Sequence, residues 1–211
     1  GTVYTVALQS DGKVIIGGST ACIRYNNTNY ALARFNTNGS FDTTFNMGSG
    51  FNATVFDVEI QNDDKILVTG DFSSFNGSSI NRIARLNSDG TLDNTFTVGT
   101  GLNNRAYDIK VDSNGKILLG GIFTTYNGVS KGRIARLNTD GTLDTTFNAF
   151  FSTNVIHIKI ASDDSIFVGG SFGIIKLNTN GSIDTTFTTG SNTNNSGVND
   201  IGFLPDNKII I

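Results

Sequence analysis

The chain has 211 residues, 37% of them hydrophobic and 16% charged, with a net charge of −3 and a pI near 5.0. That balance excludes the basic field a nucleic-acid binder needs, and no apolar run is long enough for a membrane-spanning helix. Cys22 is the single cysteine, which excludes an internal disulfide and a thiolate metal cluster.

The first element predicted is a strand over Val3-Tyr4-Thr5-Val6-Ala7-Leu8, whose Tyr4, Val6 and Leu8 share one face at period two. A Ser10-Asp11-Gly12-Lys13 turn follows, then an apolar run ending in Gly17-Gly18. Such a run suits a strand buried on both faces, and a closing Gly-Gly suits a close approach of two backbones. Next come a third strand ending in Ala33-Arg34-Phe35 and a fourth over Phe41-Asp42-Thr43-Thr44-Phe45, joined by an Asn-Gly turn.

This order then repeats. The first two strands return from Val55, Ala106 and Val155, and a fifth copy begins at Val198. The second pair returns as RIARLNSDGTLDNTF from Arg82, RIARLNTDGTLDTTF from Arg133 and GIIKLNTNGSIDTTF from Gly173. The repeats run over about 3–54, 55–105, 106–154, 155–197 and, in part, 198–211. Cadences of roughly fifty residues with several short strands each belong to β-propellers. The expected fold class is therefore all-β, with four-stranded antiparallel sheets in tandem as propeller blades. One such sheet is marginal alone and must stack on its neighbours, so the other blades of the chain are its first partners. The strand count and the absence of an initiator Met suggest an incomplete portion of a larger propeller.

These strings resemble the bacterial delta-60 repeat family, a propeller-type repeat of uncharacterised function. The resemblance rests on Q-[SN]-[DN]-[DG]-K-[IV]-[IL]-[VI]-x-G at 9–18 and 61–70, and on I-A-R-L-N-x-D-G-T-L-D-x-T-F at 83–96 and 134–147. It covers essentially the whole chain and implies export to the bacterial surface. It supplies no catalytic residue. The fourth unit departs by losing the Asn-Gly insertion seen at Asn76-Gly77 and Asn127-Gly128.

In a repeat, a catalytic site occurs once and a structural device recurs. Asp42, Asp93, Asp144 and Asp184 recur at one position, as do Asn36, Asn87, Asn138 and Asn178, and are read as turn caps. Arg34, Arg85, Arg136 and Lys176 recur on the third strand and are expected to pair with those aspartates on an exposed surface, where such a pair is worth little. Asp63-Asp64 and Asp163-Asp164 are read as turn chemistry. The N-x-[DN]-G-[ST]-x-D string lacks the distal Glu of a calcium loop, so no metal and no cofactor is expected. His157, the only histidine, stands where other units carry Thr5, Asp57, Asp108 and Asp200. If the first strand lines a channel, Asp57, Asp108, His157 and Asp200 form a polar ring at its mouth, able to hold a cation or ordered water.

Recognition is expected on loops held by a rigid disc. Tyr25 and Tyr126 are candidate sugar-stacking residues, and Phe150-Phe151 is the most conspicuous apolar tip. The variable segments are 20–30, 46–54, 99–105, 148–154 and 190–197. The leading functional expectation is a non-catalytic binding or structural scaffold of a secreted, adhesin-like surface protein, with a protein or glycan ligand. A phage tail or other virion component is one alternative. A propeller enzyme with its active residues outside these repeats is another.

Overall fold

The computed structural model describes residues 1–188, 197–206 and 208–211, and the 190–197 variable segment falls almost entirely outside them. Every described element is a β-strand. The first sheet holds β1 (Val3–Leu8) and β2 (Val14–Gly18), then a small separate hairpin of β3 (Ile23–Tyr25) and β4 (Thr28–Tyr30), then β5 (Leu32–Phe35). The second follows the same plan with β6 (Val55–Ile60), β7 (Ile66–Gly70), the hairpin β8 (Ser74–Phe75) and β9 (Ser78–Ser79), and β10 (Ile83–Leu86). The third has β11 (Ala106–Val111), β12 (Ile117–Gly121), the hairpin β13 (Thr125–Tyr126) and β14 (Val129–Ser130), and β15 (Ile134–Leu137). The fourth lacks the hairpin, as its shorter sequence predicts, and holds β16 (Val155–Ile160), β17 (Ile166–Gly170) and β18 (Gly173–Leu177). A fifth begins with β19 (Gly202–Phe203) and β20 (Ile209–Ile210).

Each complete sheet is antiparallel, with the Gly-Gly-type strand at its centre. The expected fourth strand is reduced to one bridge per unit: Phe35 to Phe41, Leu86 to Leu92, Leu137 to Leu143 and Leu177 to Ile183. The chain turns away there because the next residue, the recurrent Asp, turns its side chain back onto the backbone. Asp42 Oδ1 accepts the N–H of Thr44 at 2.9 Å and its hydroxyl at 2.6 Å, and Asp93, Asp144 and Asp184 repeat this.

Burial shows how the sheets stack. In β7, Ile66, Leu67 and Val68 are all fully buried. Ile66 and Val68 pack with Ile15 and Val58, whereas Leu67 packs with Ile83 of its own sheet and Ile109 of the following one. Alternate residues of one central strand therefore enter two different inter-sheet cores, and each such side chain contributes about 2 kcal/mol.

The central strand also sets how closely the sheets approach. A methyl group on Gly17 would sit 2.7 Å from Val55 Cγ1, one on Gly120 2.5 Å from Val155 Cγ1, and one on Gly169 2.8 Å from Val198 Cγ1. The second sheet carries Thr69 at this position, and the third answers with Ala106 where the others bring valine. A large residue on one sheet is matched by a small one on the next.

Strict alternation fails in the first strands. Each carries a bulge, between Val3 and Thr5, Val55 and Asp57, Ala106 and Asp108, and Val155 and His157. The bulge brings residues three apart, such as Val55 and Val58, into the core together.

Candidate functional site

The residues expected to form a polar ring lie at these bulges, and the structure joins them from sheet to sheet. Asp57 Oδ1 accepts the Thr5 hydroxyl of the first sheet at 2.8 Å, and Oδ2 accepts the Ile109 N–H of the third at 3.1 Å. Asp108 repeats the pattern on the Ile158 N–H of the fourth sheet at 2.5 Å. The bulge turns these amides out of their own sheet, and the preceding sheet's carboxylate accepts them.

Lys110, which the sequence reading overlooked, lies among the acids. Its ammonium is 2.6 Å from Asp108 Oδ1, 3.2 Å from Asp57 Oδ2 and 3.7 Å from Glu59 Oε2. Burial pushes the Asp108 carboxyl up to about 7; the Asp57 charge adds to this and Lys110 opposes it. Burial also raises Asp57, but Lys110 and the donors at Asp108, Ile109 and Thr5 hold it below the ordinary value. His157 Nδ1 lies 3.1 Å from Asp108 Oδ2, and Nε2 lies 3.2 Å from Asp200 Oδ1. The Nε2 contact is short but poorly aligned, so among the described residues Nε2 has no hydrogen-bond partner, and burial lowers the imidazole pKa. Lys110 thus supplies a cation from within the chain, and the acids serve to join sheets.

The recurrent Arg–Asp pairs are buried, contrary to the exposed surface expected of them. Arg34 Nε to Asp42, Arg85 Nε to Asp93 and Arg136 Nε to Asp144 measure 2.7, 2.8 and 2.8 Å. Each guanidinium lies over a phenylalanine, Phe45, Phe96 or Phe147, at 4.6, 4.5 and 4.7 Å. Its far end donates to a carbonyl of the next sheet: Ser88, Thr139 or Thr179. The acid pairs in turns act across sheets too, since Asp64 accepts from Ser10 and Asp164 from Ser113.

Of the loop candidates, two require correction. Tyr126 is only 1% exposed, and its hydroxyl donates to the Gly141 carbonyl at 2.5 Å, so it is a core residue rather than a tip. Phe151 is buried against Phe172, with ring centroids 4.8 Å apart. Phe150 remains at the surface, 71% exposed, with its ring against Gly132.

Tyr25 stands at the position of Tyr126 but in different surroundings. It is half-buried and stacks on Phe41, with centroids 4.1 Å apart and planes 2° apart. Tyr30 lies 5.8 Å from Phe41. With Thr43, Phe45 and Met47 these residues line a cleft of about 180 Å³. Phe41 stands where the other units have Leu92, Leu143 and Ile183, and Tyr30 where they have Ile80 and Lys131. This departure from the repeat was readable in the sequence; the convergence of Tyr25 and Tyr30 on Phe41 was not.

A family model described as a "domain of unknown function (DUF5122) beta-propeller" matches residues 9–45, 61–96, 113–147 and 161–187. The chain belongs to the DUF5122 β-propeller family. The four matches fall on the four complete sheets, as the sequence resemblance led us to expect. No curated protein matches this DUF5122 chain.

Solved structures share its fold. Virginiamycin B lyase from Staphylococcus aureus is 20% identical, with a TM-score of 0.60 over 98% of this chain and 61% of the lyase. The extracellular domain of the putative one component system BT4673 from B. thetaiotaomicron is 17% identical, with a TM-score of 0.61 over 98% of this chain and 25% of that one. PorZ, a surface component of the type-IX secretion system of Porphyromonas gingivalis, is 14% identical, with a TM-score of 0.61 over 96% and 29%. The DUF5122 chain spans less than two thirds of each, and at these identities the likeness is one of fold.

Proposed function

We propose that this chain is a non-catalytic binding and structural scaffold of an exported bacterial surface protein, and that the cleft at Tyr25 holds a sugar ring. The observation that carries this is the contrast between Tyr25 and Tyr126. At one repeat position, Tyr126 is closed into the core with its hydroxyl bonded to Gly141, while Tyr25 is left half-exposed, stacked on Phe41.

The chemistry of the cleft fits a carbohydrate. Aromatic faces suit the C–H faces of a pyranose, and the Tyr25, Tyr30 and Thr43 side chains supply hydroxyls around them. Its volume of about 180 Å³ falls below the range of roughly 300–1,000 Å³ usual for drug-sized ligands, which favours a single ring. Asp57, Asp108, Asp64 and Asp164 are committed to neighbouring sheets, whereas the cleft is a place where the aromatic side chains depart from the repeat. Surface location is supported by the likeness to BT4673's extracellular domain and to PorZ.

The test is binding of a saccharide panel followed by NMR or calorimetry, with Tyr25→Ala and Phe41→Leu as variants. Phe41→Leu installs the residue used by two other units and should preserve the fold. Saturable binding lost in both variants is expected. No binding of any saccharide, or binding indifferent to both changes, would sink the reading.

A further inference from the structure

The sheets place the chain's charges unequally at their two ends. In every complete sheet the turns after the first and third strands lie at one end. The connection after the second strand lies at the other, with the loop that leads into the next sheet. Of the 18 acidic residues this hairpin end carries only Asp71 among the described residues, whereas thirteen stand in the turns opposite. Of the 15 basic residues it carries Arg24, Arg82, Arg105, Lys131 and Arg133. A chain of net charge −3 therefore presents one basic end.

Three of these cations converge on one joint, where the loop 99–105 meets the start of the third hairpin. Asn103 Oδ1 accepts the N–H groups of Thr124 and Thr125 at 2.8 and 3.0 Å, and the Arg105 carbonyl accepts that of Ile122 at 2.9 Å. Arg82 Nη1 donates to the Leu102 carbonyl at 3.2 Å, and Arg133 Nη1 to the Ile122 carbonyl at 2.5 Å. Arg105 is exposed on the loop itself and holds Asp71. Unlike Arg34, Arg85 and Arg136, which each hold an aspartate, Arg82 and Arg133 form no ion pair among the described residues. Arg82 Nε is buried without a partner among them.

The backbone supplies a second observation. Arg82 and Arg133 sit at φ 63° and 64°, in the left-handed region, where the fourth unit has Gly173 at 87°. Glycine adopts that region freely and a residue with a side chain does not. Two units thus keep an arginine where glycine would fit more easily.

We propose that this joint is a second ligand site, apart from the Tyr25 cleft, and that it takes an acidic polysaccharide. The planar forks of Arg82 and Arg133 suit the paired oxygens of a carboxylate or sulfate. The ring of Phe150, 71% exposed, lies against Gly132, the residue before Arg133, and offers a face to the sugar that carries the acid. A polymer as densely charged as nucleic acid would be repelled by the acidic surplus of the rest of the chain.

The probes are polygalacturonate, dextran sulfate and neutral dextran, titrated by calorimetry at low salt. The chains compared are Tyr25→Ala alone, which removes the cleft from the readout, and the same chain with Phe150→Ala or with Arg82→Gly and Arg133→Gly together. Glycine is the fourth unit's own residue at the arginine position, so the native circular dichroism should be kept, and Phe150→Ala tests the site independently at an exposed position. Binding of one or both acidic polymers is expected, weakening as salt is added, with none of dextran. Which of the two binds tells carboxylate from sulfate. Affinity should fall about tenfold or more on loss of the two arginines and about threefold in Phe150→Ala. The proposal is overturned if neither acidic polymer binds, if double-stranded DNA or polyglutamate binds as tightly, or if either change leaves affinity as it was.

Discussion

Arg85 Nε donates to Asp93 Oδ2 at 2.8 Å, while Nη1 of the same guanidinium donates at 2.6 Å to the Thr139 carbonyl of the next sheet. One side chain therefore ties the third strand to its own turn and to its neighbour's. Arg85→Ala leaves Asp93 buried with Lys65, 3.2 Å away, as its remaining cation. The expected loss is about 3 kcal/mol. Arg85→Lys keeps the charge and gives up the forked reach, so it should fall between Ala and native. Denaturant midpoints check this, and a loss for Arg85→Ala under about 1 kcal/mol would mean the guanidinium is not the tie described.

Asp42, Asp93 and Asp144 give stability a defined pH dependence. Burial raises each carboxyl, but hydrogen bonds from Thr44, Thr95 or Thr146 and from the Lys–Arg pairs overcome it and hold all three well below the usual carboxylate range. Their pKa is lower folded than unfolded, so the unfolded chain takes up protons first. Their contribution is complete above about pH 4 and is lost as the pH falls below it. Melting temperature followed from pH 5 downward should drop steeply. The drop should be shallower, from a lower start, in Asp93→Asn. An unchanged slope in that variant would point to other groups.

The matching of Thr69 with Ala106 predicts a rescue. Ala106→Val adds volume opposite a threonine and should cost about 1–3 kcal/mol. Thr69→Gly alone should also destabilise. Together they recreate the Gly–Val pairing of Gly17 with Val55, so the double variant should be more stable than Ala106→Val. A double-mutant cycle reads this directly, and simple additivity of the two losses would refute the size match.

Tyr126→Phe should lower stability by about 1 kcal/mol, because the buried Gly141 carbonyl loses its donor. Tyr25→Phe should stay within about 0.5 kcal/mol of native, as expected of a surface change. The two are made at one repeat position and measured by the same thermal melt. Equal losses would contradict the separation of core from cleft.

The repeats, the turns and the doubly buried central strand were readable because each depends on local pattern. Asn and Gly mark the hairpins, and an uninterrupted Lys65-Ile66-Leu67-Val68 run has no polar face to give to solvent. The missing hairpin of the fourth unit was equally visible as a shortened segment. The fourth strand was not foreseeable at its true length. Leu92-Asp93-Asn94-Thr95-Phe96 looks extended, but the Asp93 side chain closes a turn over Thr95 after a single bridge.

Residue type and spacing by themselves therefore determined the all-β class, the fifty-residue cadence and the devices that recur with it. Only the tertiary structure decided which recurring charges are buried, that Lys110 lies among the acids of the first strands, and that Tyr25 and Tyr126, alike in sequence, have opposite fates. The physical reason is that burial belongs to the neighbouring sheet. A strand's own residues set which way its side chains point, but the surface they meet is brought there by residues some fifty positions away.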